Sequence, residues 1–153
     1  MMVRYLMILA GLLLAQQSLA FTCYLTLAKD NCWTAYDVSV SVIDTSNNQP
    51  IAVVTVPKGQ SWIRQPFTCQ PNQSLLYTAT FSPNVWDGTG NAAYPAKKFW
   101  TLPVTIRPGQ TAWELPVCFA DAFSEVPASA SATGVCQCNF AEIPVLVPPE
   151  THN

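Results

Sequence analysis

Apolar residues recur at every second position through much of this chain, and a period of two is the pattern of strands buried on one face. In residues 36–44, Val38, Val40 and Val42 fall on one side while Ser39 and Ser41 fall on the other. The polar cluster 44–50 (DTSNNQP) turns the chain into 51–56 (IAVVTV), a β-branched run whose stiff side chains favour strand over helix. Residues 57–60 (PKGQ) make the next turn, with Gly59 placed to take a positive φ. Residues 61–69 then alternate Trp62, Arg64 and Pro66 against Ile63, Gln65 and Phe67. Pro66 has no N–H for a ladder, so this segment is expected at a sheet edge or broken by a bulge. Residues 73–81 (QSLLYTATF) set Leu75, Tyr77, Ala79 and Phe81 on one face. Two further strands, 99–106 and 111–117, flank the turn 107–110 (RPGQ). At the front, Cys23, Leu25 and Leu27 alternate in a segment read as a short edge strand before 29–31 (KDN) turns into Cys32.

About seven short strands separated by turn clusters, with no amphipathic helix of convincing length, predict an all-β fold. The expectation is one disulfide-linked β-sandwich of immunoglobulin-like or transthyretin-like type, centred on residues 36–69. Two stretches interrupt the alternation. Residues 82–98 (SPNVWDGTGNAAYPAKK) form a long irregular insertion, and 124–134 (SEVPASASATG) read as a low-complexity linker. The linker leads into 135–153 (VCQCNFAEIPVLVPPETHN), a Pro-rich tail carrying two cysteines.

The first twenty residues follow a different logic. Arg4 is followed by the apolar run 5–15, and Ser18-Leu19-Ala20 offers small residues to a signal peptidase. A membrane-spanning helix needs about 20 apolar residues, so an eleven-residue core reads as a helical export signal and not as an anchor. The organisation expected is therefore a signal peptide at 1–20, a sandwich at 21–123, and a linker with a tethered tail at 124–153. A secreted or periplasmic destination follows, with no transmembrane segment after cleavage.

Charge narrows the partners. Arg4 is the only charged residue in the signal, so its removal moves the formal charge from −2 to −3. The six remaining Lys and Arg form no basic patch, which argues against nucleic acid. All six cysteines, Cys23, Cys32, Cys69, Cys118, Cys136 and Cys138, lie beyond the signal, and an even number in an exported chain predicts three disulfides. A bridge between Cys136 and Cys138, one residue apart, would strain disulfide geometry, so both are expected to reach back to the body of the domain. A local bridge between Cys23 and Cys32 is one candidate pairing. A copper(I) site at reduced Cys136 and Cys138 is the lesser alternative, and no metal or other cofactor is expected.

The one histidine, His152, is the penultimate residue, which disfavours imidazole-dependent nucleophilic catalysis. The carboxylates stand mostly in turns and at strand ends, with no spacing that singles out a pair, so no catalytic residue is assigned. Asp87-Gly88-Thr89-Gly90-Asn91 starts like a calcium loop but lacks its closing acid, and is read as a loop tip. Asn72-Gln73-Ser74 fits the glycosylation pattern, which matters only in a eukaryotic secretory pathway.

Aromatics carry the functional expectation. Of the five tryptophans, Trp62, Trp100 and Trp113 fall in strand patterns and are expected to plug the sandwich. Trp86 and Tyr94 lie in the insertion, close to Lys97 and Lys98. Long loops are disproportionately functional, and Trp and Tyr are enriched where binding energy concentrates. Loop 84–99 is thus the expected contact surface, with Trp86, Tyr94, Lys97 and Lys98 as binding candidates.

The segments V-x-V-x-V-I-D, N-Q-P-I and V-T-V-P-K-G within residues 38–59 resemble the small immunoglobulin-like and transthyretin-like sandwiches of secreted proteins. With WIRQPFTC, FSPNVW, AKKFW and the CQC tail added, the chain is similar to small uncharacterised periplasmic proteins of Gram-negative bacteria. That resemblance implies the periplasm and no particular activity. The function expected is a non-enzymatic binding or protein-interaction module with an unknown protein or glycan partner. A carbohydrate-binding module, an envelope subunit offering an edge strand, and a carboxylate-based hydrolase are the alternatives.

Overall fold

A computed structural model describes residues 20–85 and 92–146. The expected signal segment lies almost wholly outside them, as do Trp86, the 87–91 loop and His152. The described residues form eight strands: β1 (Phe21–Lys29), β2 (Asp37–Asp44), β3 (Gln49–Val56), β4 (Trp62–Cys69), β5 (Ser74–Ser82), β6 (Tyr94–Pro95), β7 (Trp100–Thr101) and β8 (Ala112–Phe119). Two single-turn 3-10 segments, Asn31–Trp33 and Phe140–Glu142, complete the regular structure, and no described helix is long and apolar enough to cross a membrane.

Two sheets face each other. One has the order β4-β1-β8, and the other has β3-β2-β5-β6 with β7 also paired to β5. Their inner faces are the alternating residues. Val38, Val40 and Val42 of β2, Val54 and Val56 of β3, and Leu75 and Tyr77 of β5 are fully buried against Leu25, Leu27 and Val117 from the other sheet. Burying such side chains contributes about 1.5–3 kcal/mol each, which is why register is fixed wherever this face is closed.

β1 is not the edge strand that its sequence suggested. It lies between β4, to which it is antiparallel, and β8, to which it is parallel. A strand paired on both sides and covered on both faces reads as near-continuous burial, and Thr26 and Ala28 are as buried as Leu25 and Leu27. Pro66 does sit at a sheet edge, on β4. The strand expected over 99–106 shrinks to Trp100–Thr101. Leu102 N–H still donates to the Gln73 carbonyl at 2.8 Å, but Pro103 has no N–H to continue the ladder. The insertion is also less irregular than expected, because β6 pairs Tyr94 with Ala79 and Pro95 with Thr78.

Three disulfides cross-link the fold: Cys23–Cys69, Cys32–Cys136 and Cys118–Cys138. The local Cys23–Cys32 bridge is not formed. Cys23 is the third residue of β1, and the six extended residues from it to Lys29 carry the chain roughly 20 Å away, far beyond disulfide reach. Cys23 instead meets Cys69 on the neighbouring strand. Cys136 and Cys138 both reach back to the sandwich, to different partners, and so pin the C-terminal tail at two points. Buried Ser129 adds a hydrogen bond to the Cys32 carbonyl from the linker.

The two long sides of the sandwich differ. Between β3 and β4 the side chain of Gln65 crosses from one sheet to donate to the Val53 carbonyl of the other at 3.3 Å. On the opposite side, between β8 and the β6–β7 region, backbone contacts near the end of β8 join the sheets. There Ala96 bridges Phe123, Lys97 N–H donates to the Ala122 carbonyl at 2.9 Å, and Ser124 N–H donates to the Pro95 carbonyl at 2.8 Å. Beyond that junction the seam opens.

Candidate functional site

The open seam holds a groove of about 700 Å³. Three parts of the chain build it. β8 supplies the floor, through Glu114, Pro116, Val117 and Cys118. Lys97, Lys98 and Trp100, from the segment joining β6 to β7, form one wall. Phe140, Ile143, Pro144 and Val145 of the tail form the other.

The tail wall depends on the outer face of the β4-β1-β8 sheet. Cys118 points outward from β8 and holds Cys138 by its disulfide. A polar network takes over further along. Arg64 Nε donates to Thr26 Oγ1 at 3.1 Å, Thr26 Oγ1 donates to Glu114 Oε1 at 2.9 Å, and Arg64 Nη2 reaches the same carboxylate oxygen at 2.6 Å. These three residues belong to three adjacent strands. Arg64 also donates to the Pro144 carbonyl at 2.6 Å, so one guanidinium ties the sheet to the tail. The planar fork of Arg suits this role, since it donates in several directions at once. Ile143 is thereby buried, while Phe140 and Val145 stay exposed at the groove, Val145 by 78%.

The opposite wall carries two cations, with the exposed carboxylate of Asp121 beside them. Lys98 Nζ sits 4.8 Å from the centroid of the Trp100 ring, a cation–π contact. Lys97 Nζ is 3.8 Å from Asp121, a loose pair with both side chains mostly exposed. Among the described residues Lys98 has no carboxylate partner, because Glu114 is held by Arg64.

Of the four binding candidates, the groove thus brings together Lys97 and Lys98. Tyr94 is elsewhere: it is half-buried in β6, its ring stacked on Phe81 at 5.5 Å and 10°. Trp86 lies outside the described residues. Trp100, expected as a plug, packs against Tyr77 at 5.4 Å and also lines the groove. Phe140, Ile143 and Val145 were not singled out by sequence. The one signal for them was the CQC pair, which required the tail to return to the body.

Several polar groups outside the groove are accounted for structurally. Lys29 is buried, its ammonium donating to the carbonyls of Tyr36 at 2.7 Å and Pro57 at 2.9 Å. Burial lowers its pKa, and nearby Asp37 opposes that shift. Asp30 lies with Cys32 and Cys136 in a cluster of metal-ligating type. Both sulfurs are shared in a disulfide, and the carboxylate accepts from Cys32 N–H at 2.8 Å and Ala120 N–H at 3.2 Å. Asp44 is held below the usual carboxylate range by hydrogen bonds from the side chains of Ser46 and Gln73. The Tyr77 hydroxyl is pushed up by burial.

The chain matches no protein-family model, no curated protein and no solved structure.

Proposed function

We propose that this chain is an exported, non-enzymatic protein-interaction module whose contact surface is the groove between β8, Lys97–Trp100 and the tail. The single observation that carries this reading is convergence: two cations, an exposed aromatic-and-aliphatic wall and a sheet edge with no strand partner among the described residues meet in one concave site. Apolar area supplies affinity and charge supplies selectivity and orientation in such surfaces. Three disulfides support a secreted or periplasmic setting, where oxidised cysteines persist. The immunoglobulin-like or transthyretin-like type belongs to this proposal too, supported by two facing sheets of short strands. The contact surface expected at loop 84–99 is retained at Lys97 and Lys98 and extended to the tail, with Trp86 kept as a further contact on sequence grounds. A glycan platform is less well supported, because Phe81 stacks on Tyr94 and Lys98 sits over Trp100.

The test is a pull-down from envelope extract with immobilised mature protein, comparing wild type with Lys98→Glu and Val145→Asp. Both substitutions are on exposed side chains, so folding should be unchanged. Loss of the same retained proteins with both variants supports the groove. Equal retention by wild type and both variants overturns it.

A further inference from the structure

We propose, on the basis of the binding-module reading, that the groove takes an extended peptide segment as an added strand along β8, with apolar and acidic residues alternating. Asp30 N–H donates to the Phe119 carbonyl at 2.7 Å, so position 119 of β8 turns its backbone groups toward β1. Alternation along a strand then sends the backbone groups of Glu114, Pro116 and Cys118 the other way, into the groove. The Cys118 carbonyl is taken by Ala122 N–H at 2.9 Å. Among the described residues the Glu114 N–H and carbonyl, the Pro116 carbonyl and the Cys118 N–H have no backbone partner. Pro116 therefore falls where its missing N–H costs β1 nothing, and its carbonyl remains an acceptor.

An incoming strand completes this edge and closes the seam that is already joined at Ala96 and Phe123. Its successive side chains face opposite walls. One set meets Phe140, Ile143 and Val145, which selects apolar residues. The other meets the wall carrying Lys97 and Lys98, which selects acidic ones. Two carboxylates also line the groove, but Glu114 is paired with Arg64 and Asp121 with Lys97. That leaves Lys98 as the cation without a carboxylate partner among the described residues, and its charge commits the site to an acidic, amphipathic strand and not to a basic one.

The probe is a phage-displayed library of random dodecapeptides selected on the mature protein, with the enriched peptides synthesised for binding and for amide exchange followed by NMR. The expected peptides alternate apolar and acidic residues, slow exchange at the Glu114 and Cys118 amides by about tenfold or more, and lose about tenfold in affinity to Lys98→Glu. N-methylation of alternate peptide amides should abolish binding while leaving the side chains intact. Peptides that are lost with Val145→Asp but leave those two amides unprotected overturn strand addition while the groove reading stands. Peptides indifferent to Lys98→Glu and Val145→Asp overturn both. Failure to enrich any peptide overturns strand addition, the groove itself being read by the pull-down comparison. A homodimer protecting the same amides without peptide replaces the peptide by a second copy.

Discussion

Arg64 on β4 donates to the carbonyl of Pro144 in the tail at 2.6 Å, across a sequence separation of 80 residues. The same guanidinium holds Glu114 on β8, so one side chain ties the edge strand to the tail beside it. Arg64→Met should free Glu114 and release the tail wall. Urea denaturation should show a loss of about 1–3 kcal/mol, the usual range for a hydrogen-bonded charged group. Limited proteolysis should find new cleavage between Cys138 and Val145. An unchanged proteolysis pattern would mean that Cys138 alone fixes the tail.

Removing the two tail disulfides separately should give unequal losses. Cys32–Cys136 spans 104 residues and Cys118–Cys138 spans 20. In the chain-entropy account the longer loop stabilises more, within a typical range of about 2–4 kcal/mol each. The Cys32→Ser/Cys136→Ser variant should therefore have the lower denaturation midpoint, and the Cys118→Ser/Cys138→Ser variant the greater change at the groove. Denaturant titration of both variants tests the order.

At alkaline pH, Tyr77 should limit stability. Its pKa in the fold is raised by burial above the unfolded value of 10.0, so above pH 10 the unfolded chain gives up a proton that the folded chain keeps. Stability then falls as pH rises from 10 toward the folded pKa. Lys29 acts in the opposite direction below its unfolded value of 10.5, because its folded pKa is lowered and stability gains as pH rises through that window. Tyr77→Phe should flatten the fall above pH 10 seen in stability measured across pH 8–12. A fall of the same steepness in the variant would assign it to other groups.

In acid, Asp44 should lose what Ser46 and Gln73 give it. Its folded pKa lies below the unfolded 3.8, so its contribution is complete above that value and disappears as pH falls through the folded pKa. Asp44→Asn should make the acid limb of the stability profile shallower. The change is expected to be small, because the carboxylate is partly solvated.

Local periodicity made the valines of β2 and β3 and the inward face of β5 legible, since a half-buried strand writes its own burial into every second residue. It failed for β1, where both faces are covered and the deciding partner, β8, is about 90 residues away in parallel. No short-range pattern encodes that pairing. The two-residue strands β6 and β7 were too brief for any period to register. At the candidate groove, Lys97 and Lys98 were named from sequence because they lie beside Trp86 and Tyr94 in the insertion, and the fold places both along the groove's lining. Phe140, Ile143 and Val145 were not named, because their place depends on two disulfides and on Arg64, none of which a linear pattern pairs.

The account turns on whether the groove beside β8 is where partners bind. The most direct measurement is affinity of a selected dodecapeptide for wild type and for Lys98→Glu, read by fluorescence polarisation at matched thermal stability. The account predicts a loss of about tenfold for Lys98→Glu, regained when the peptide's acidic residues are changed to lysine. Equal affinity for both proteins, with either peptide, would contradict it.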